Sequence, residues 1–201
     1  MSSSKPLVSG LLTTRDRPRF VSQAIRYFER QTYPNTELVV VDGGDHDVAD
    51  LCAGRSRIHY VRATPGDSIG ACLNTAAEKA HGDVLVKIDD DDYYNPAFVE
   101  RAFDELNDSG ELTVVAWDCF FVLLAGEKNL RFSGHGWSAG GTLCFRRAVW
   151  EKTRFRHCPA EDFFFLQESG SVIRRVCAPE LFVLVRHGQN RWWTLGNTEV
   201  D

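Results

Sequence analysis

Four aspartates in a row, Asp89 to Asp92, follow directly on the apolar run Val84–Ile88. Neighbouring carboxylates repel and raise one another's pKa. A divalent cation removes that conflict. A set of oxygen ligands favours a hard ion such as Mg²⁺ or Mn²⁺, which commonly takes its other ligands from water and from a substrate's phosphates. Along an extended chain Asp89 and Asp91 point the same way, so the pair can share one metal–diphosphate unit. The plainer reading is an acidic surface loop, or a capping cluster for the helix that begins near Pro96. The abruptness with which the aspartates end a buried strand favours the metal.

The elements that position these residues can be read from periodicity. Leu7–Thr13 is a short apolar strand, and Phe20, Ala24, Ile25 and Phe28 mark an amphipathic helix from about Pro18 to Gln31. Tyr33, Pro34 and Asn35 break it. Glu37–Val41 is a second strand ending in Asp42, and Ile58–Val61 a third. Ser68 to Ala80 reads as a helix stopped by Gly82, and Asn95 with Pro96 opens another. Strand and helix in alternation predict right-handed crossovers and a largely parallel sheet with helices on both faces, an α/β fold. Ligands bind at the carboxyl ends of such strands, which gathers Thr13–Arg15, Asp42–Asp45 and Asp89–Asp92 on one edge.

The second half is less regular. Leu112–Leu124 is one long strand, Gly134–Gly141 a flexible loop, Thr142–Phe145 a strand and Arg146–Lys152 a short helix. Glu161–Gln167 is helical, with Val172–Val176 and Leu181–Val185 as late strands.

The chain has 201 residues, 43% hydrophobic and 25% charged, which fits one folded domain over residues 1–201 and excludes a disordered chain. A net charge of -5 argues against a nucleic-acid partner. Arg15, Arg17 and Arg19 would suit a phosphate or a solvated surface. The six cysteines, Cys52, Cys72, Cys119, Cys144, Cys158 and Cys177, form no Cys-x-x-Cys pair. No apolar leader precedes Leu7 and no run is long enough for a transmembrane helix, so the cysteines read as reduced, small buried hydrophobes of a cytoplasmic protein.

From Pro6 to about Arg101 the sequence resembles the family 2 glycosyltransferases, which have the GT-A fold. The matches are Val8–Thr14 with Arg15–Pro18, then Gln31–Asn35, then Val40–Asp45, then Ile88–Asp92 followed by Tyr93–Pro96. Any one is weak, but four in the same order and spacing are strong. The resemblance implies a Rossmann-like half over 1–101 that binds a nucleotide-diphosphate sugar, with a UDP-sugar favoured, and an acceptor and catalytic-base half over 102–201. Thr13, Thr14 and Arg15 would line the nucleobase pocket. Asp42 would accept the uracil imide N–H, and Asp89 and Asp90 would lie by the nucleotide. Asp91 would be the direct ligand of Mn²⁺ or Mg²⁺, with Asp89 and the late His187 completing the metal shell. Glu161-Asp162 matches the pair whose aspartate is the catalytic base, and Gly140 lies in a glycine-rich loop that approaches the donor sugar. One base opposite the leaving group implies inversion at the anomeric carbon.

Some positions depart from the family pattern. Thr13 replaces a proline, Gly43 the second aspartate of an Asp-Asp pair, and Leu73 an arginine that helps hold the nucleotide. These leave two alternatives: a non-catalytic domain of the same fold that binds a nucleotide sugar or a partner, and a sugar nucleotidyltransferase. The second lacks the glycine-rich loop a triphosphate needs, since Thr13–Asp16 holds no glycine. The chain ends at Asp201 without the helices that many members use for membrane contact or dimerisation. Trp192 and Trp193 could form an acceptor platform, a lid, an anchor for the tail, or the contact of a homodimer.

Overall fold

Runs of Val, Leu and Ile build the first four strands: β1 (Val8–Thr14), β2 (Thr36–Asp42), β3 (Ile58–Arg62) and β4 (Val84–Asp89). They are parallel, in the order β3-β2-β1-β4. Register pairs Thr14 with Asp42 and Thr13 with Asp89, so the polar strand ends stand side by side. This is a computed structural model, and it describes residues 5–134, 138–188 and 190.

Alternation along each strand sends neighbouring side chains to opposite faces. Leu38 and Val40 of β2 join Val21, Ile25 and Phe28 of α1 (Pro18–Glu29), Cys52 of α2 (Ala49–Cys52) and Phe98, Ala102 and Leu106 of α4 (Phe98–Asn107). Val39 and Val41 join Cys72, Leu73 and Ala76 of α3 (Ile69–Lys79), Val149 and Trp150 of α5 (Arg147–Lys152) and Phe165 of α6 (Glu161–Glu168). Two cores thus lie on the two faces of one sheet. Each fully buried Leu or Phe contributes about 1.5–3 kcal/mol. A one-residue slip would exchange both faces, so the register is tightly specified.

The second half closes on a long strand, β6 (Thr113–Leu124). β8 (Cys144–Arg146) lies between β4 and β6, antiparallel to both, while β9 (Val172–Cys177) and β10 (Phe182–Arg186) run parallel to β6. Two short strands, β5 (Tyr93–Tyr94) and β7 (Arg131–Ser133), pair antiparallel with β10 and β6. Every antiparallel pairing among the described residues involves β5, β7 or β8. The expected parallel, two-faced sheet therefore holds through β4, and beyond it the sheet is mixed.

Element boundaries shift for physical reasons. α1 stops at Glu29, because the Gln31 amide turns away to donate to the carbonyls of Tyr27 and Asn95 and to accept from the Val99 N–H. α4 starts at Phe98, later than Pro96, since Asn95 Oδ1 accepts the Ala97 N–H in a turn of its own. The glycine-rich stretch ends in a tight 3₁₀ turn, Gly140–Thr142, and is no loose loop there. Thr142 Oγ1 accepts the Trp117 N–H, and the Ala139 N–H donates to the Trp117 carbonyl, so β6 pins the turn from below.

The reading of all six cysteines as reduced and buried is corrected. Cys119 and Cys177, partners across β6 and β9 with Cα atoms 4.5 Å apart, form a disulfide, and Cys158 is half-buried. Their separation of 58 residues left no local spacing to read. No helix among the described residues is long and apolar enough to cross a membrane. Trp137, Gln189, Trp192 and Trp193 lie outside the described residues.

Candidate functional site

The ends of β1, β2 and β4 bring Thr13, Thr14, Asp42 and Asp89 to one edge, as parallel strand ends must. Each aspartate of the row then does something different. Asp90 is buried and accepts from Thr14 Oγ1 (2.7 Å) and Arg17 Nη1 (3.0 Å). Its burial and the neighbouring Asp91 push its pKa up to about 6, against the pull of Arg17 and Thr14. Asp92 is buried and accepts the Val185 N–H (2.8 Å), and burial with Asp91 and Asp89 close by raises it well above the usual carboxylate range. That bond fixes β10, which delivers His187. His187 Nε2 lies 3.0 Å from Asp91 Oδ2, and the same oxygen meets Arg17 Nη1 (2.9 Å) and Asn190 Nδ2 (3.1 Å).

Asp89 faces the other way. Its carboxylate lies 3.3 Å from Lys87 Nζ, and Lys87 lies 3.4 Å from Glu161 Oε1. Lys87 and Glu161 are both buried. Desolvation alone would strip the lysine of its proton, but Asp89, Glu161 and Asp162 around it hold its pKa above that of a free lysine. Desolvation raises Asp89 and Glu161, and Lys87 opposes the shift at both.

The glycine turn joins the two motifs. A Cβ on Gly141 would stand 2.6 Å from Asp89 Oδ2, and one on Gly140 would stand 1.6 Å from Asp162 Oδ2. A side chain at either position fits only if the carboxylate facing it moves. Buried Tyr94 completes the joint: its hydroxyl accepts the Asp89 N–H and donates to the Gly141 carbonyl, each at 2.8 Å.

The start of α6 is set from below by Asn74. Its amide accepts from Trp150 Nε1 and the Phe155 N–H, both 3.0 Å, and donates to the Phe155 carbonyl (2.9 Å). Phe165 stacks on Phe155 with ring centroids 4.3 Å apart. The first two residues of the helix diverge, Glu161 inward to Lys87 and Asp162 toward Gly140.

Thus Asp89, Asp90, Asp91, Asp162, Glu161, Gly140, Thr14 and His187 converge. Arg15 lies to one side, donating to the Asp67 carbonyl (2.7 Å). Asp42 is buried with both oxygens engaged, Oδ1 by the Gly44 N–H (2.9 Å) and Oδ2 by Arg62 Nη1 (2.9 Å) and the Tyr60 hydroxyl (3.3 Å). Glu161 belongs to the lysine and not to the open side of the site. Sequence reasoning missed Lys87, Tyr94 and Asn74, and had Arg17 only within a cluster suited to a phosphate or a solvated surface. A lysine inside the apolar run Val84–Ile88 was the one signal available for the first.

Six carboxyl groups, Asp89 to Asp92 with Glu161 and Asp162, are answered by ion pairs from Lys87 and Arg17, with His187 on Asp91. The cluster is acidic in excess, and Asp91 with His187 offers carboxylate and imidazole atoms that suit a divalent cation, while Asp89 is turned to Lys87.

The family model for glycosyl transferase family 2 matches residues 11–181. EpsH of Bacillus subtilis (strain 168), which bears a glycosyltransferase name, is 25% identical over 113 residues, 54% of this chain and 33% of its own. The chain thus spans about a third of the length of that relative. Among solved structures, S. aureus TarS 1–349 in complex with UDP-GlcNAc superposes with a TM-score of 0.72 at 15% identity, covering 93% of this chain and 61% of that one. The mannosyltransferase PcManGT of Pyrobaculum calidifontis, in complex with GDP-Man and Mn²⁺, gives 0.70 at 18%, covering 94% and 59%. At these identities the likeness establishes the fold, which is GT-A.

Proposed function

The chain belongs to glycosyl transferase family 2, and from that premise we propose that it moves a sugar from a nucleotide-diphosphate sugar, with UDP the favoured nucleotide, to an acceptor hydroxyl with inversion. The observation that carries this reading is the Gly140–Gly141 turn, whose backbone touches Asp162 on one side and Asp89 on the other. A base and a donor-side carboxylate flanking one turn is the layout an in-line displacement needs.

Residues 1–101 form the donor half in this reading, and 102–201 the acceptor half. Thr13, Thr14 and Arg15 border the nucleobase, and Asp42 meets its imide in exchange for the Arg62 and Tyr60 contacts it now makes. Asp91, Asp89 and His187 would hold Mn²⁺ or Mg²⁺. When bound, that ion supplies positive charge for a departing diphosphate. Arg17, now on Asp90 and Asp91, would offer its guanidinium to the same phosphates. Asp162 takes the acceptor proton, and Lys87 holds Asp89 and Glu161 in place beneath it.

Calorimetric titration of UDP and GDP, each with Mn²⁺ and with EDTA, tests the donor site. Metal-dependent UDP binding is expected in the wild type. Asp91→Ala should lose it, with affinity down by at least about 10-fold. Absence of binding for either nucleotide under every condition would overturn the reading. Product formation with UDP-sugars then separates an enzyme from a binding domain.

Gly140→Ala tests the turn. Its new methyl displaces Asp162, and misplacing a reacting group by about 1 Å can cost about 10²-fold in rate. Transfer should fall by that order in a steady-state assay with nucleotide affinity kept. Gly141→Ala presses on Asp89 instead and should weaken nucleotide binding as well.

A further inference from the structure

Far from the aspartates, at the opposite edge of the sheet, three ligand-type side chains meet. Glu37 lies near the start of β2, His59 near the start of β3, and His81 in the connection from α3 to β4. Asp42 and Asp89 stand at the other ends of β2 and β4, so this cluster shares no residue with the site above.

The spacing of the three is that of a coordination set. Glu37 Oε2 lies 2.9 Å from His81 Nδ1 and 3.2 Å from His59 Nε2. One ligand atom from each residue lies within 4.8 Å of the other two. In a tetrahedral site with bonds of about 2.0–2.1 Å, ligand atoms stand about 3.3 Å apart. The carboxylate is also held in place. Its second oxygen, Oε1, accepts from Ser9 Oγ (2.6 Å) and from the His81 N–H (2.5 Å), and Ser9 Oγ itself accepts the Gly82 N–H (2.9 Å). Bonds of this kind, from groups behind the ligands, orient a metal site and tune it. Glu37 is buried, and the donors from Ser9 and His81 hold its pKa below the usual carboxylate value despite desolvation. The imidazoles face solvent, with His81 70% and His59 41% exposed, which leaves an entry path and room for water ligands.

We propose that Glu37, His59 and His81 form a second metal site, for a borderline ion of the Zn²⁺, Co²⁺ or Ni²⁺ type. Two imidazoles and one carboxylate suit those ions, whereas the oxygen-rich aspartate row suits Mg²⁺ or Mn²⁺. The ion would tie together β2, β3 and the α3–β4 connection, all of which the donor half depends on for its strand ends. The site stands apart from the transfer reaction and does not need that reading to be right. Without an ion, the same groups make only a histidine–carboxylate contact, and the experiment separates the two.

Co²⁺ is titrated into the full chain carrying Asp91→Ala, which weakens the aspartate row as a competing site, and followed by absorption. One equivalent should bind with the ligand-field bands of four- or five-coordinate cobalt, and Zn²⁺ should displace it and raise the melting temperature. His81→Ala and His59→Ala, both on exposed side chains, should each weaken Co²⁺ by at least about 10-fold with the far-ultraviolet circular dichroism unchanged. Ser9→Ala keeps all three ligands and should still cost about 10–100-fold. Three results would overturn the site: no saturable Co²⁺ binding, binding indifferent to His59 and His81, or bands of a thiolate complex from the cysteines.

Discussion

Asp162→Asn should lower transfer by about 10²–10⁴-fold, the usual contribution of a general base, and leave nucleotide affinity within a factor of about two. The substitution keeps the size of the side chain and the acceptor oxygen for the Phe163 N–H, which Asp162 Oδ1 now takes at 2.8 Å. What it removes is the ability to receive a proton. Glu161→Gln is the informative neighbour, because Glu161 points to Lys87 and not to the turn. It should reduce stability more than it reduces turnover at saturating substrate. A fall in UDP affinity that matched the fall in rate for Asp162→Asn would sink Asp162 as the base and make it a donor-side ligand instead.

The second large effect is expected at Lys87. Lys87→Met preserves volume and leaves Asp89 and Glu161 without the cation between them. Removing one partner of a buried ion pair typically costs about 3–5 kcal/mol, mostly because the remaining charge is stranded. Urea unfolding should show that loss. The double variant Lys87→Met with Glu161→Gln should recover part of it, since the stranded charge is then smaller, and the loss in the double less the losses in the two singles is the coupling energy of the pair. A single-variant loss below about 1 kcal/mol would mean that the carboxyl groups simply take up protons when the lysine is gone. Lys87 is in these terms a positioning residue, holding Asp89 and the helix that carries Asp162 in one frame.

Sequence legibility followed the range of the interactions. Strands β1 to β4 and helices α1 and α3 were readable because their patterns are local, and the strand-end rule then placed Thr14 and Asp89 together. Asp162 came from a resemblance, since a lone carboxylate at a helix start looks like any other. The glycine turn was visible as composition but not as contact: only the fold shows which carboxylate each glycine touches. Tyr94, Asn74 and the Cys119–Cys177 pair act between residues 47 to 81 apart in the chain, where no spacing rule reaches. The short strands β5 and β7 were missed because they exist through pairing with β10 and β6 and not through their own composition. Lys87 stands in plain view inside the apolar run Val84–Ile88, but what it pairs with, Glu161, lies far along the chain.

The arrangement around β6 also carries a consequence for the order in which the molecule assembles. In the first four strands β2 pairs with its sequence neighbours β1 and β3, but β1 also has to find β4, as in the pair Val8 and Val84. β6 likewise has to find β9 and β10 across intervals like the 58 residues between Cys119 and Cys177, and all of these lie later in the chain. Closing longer loops costs more entropy before any contact repays it, and pairing of that kind is slow. The glycine turn hangs on β6 at Trp117. A chain emerging from synthesis has the whole row of strand ends in hand by Asp89, whereas the turn needs both Trp117 and Thr142, so the turn would set after the row.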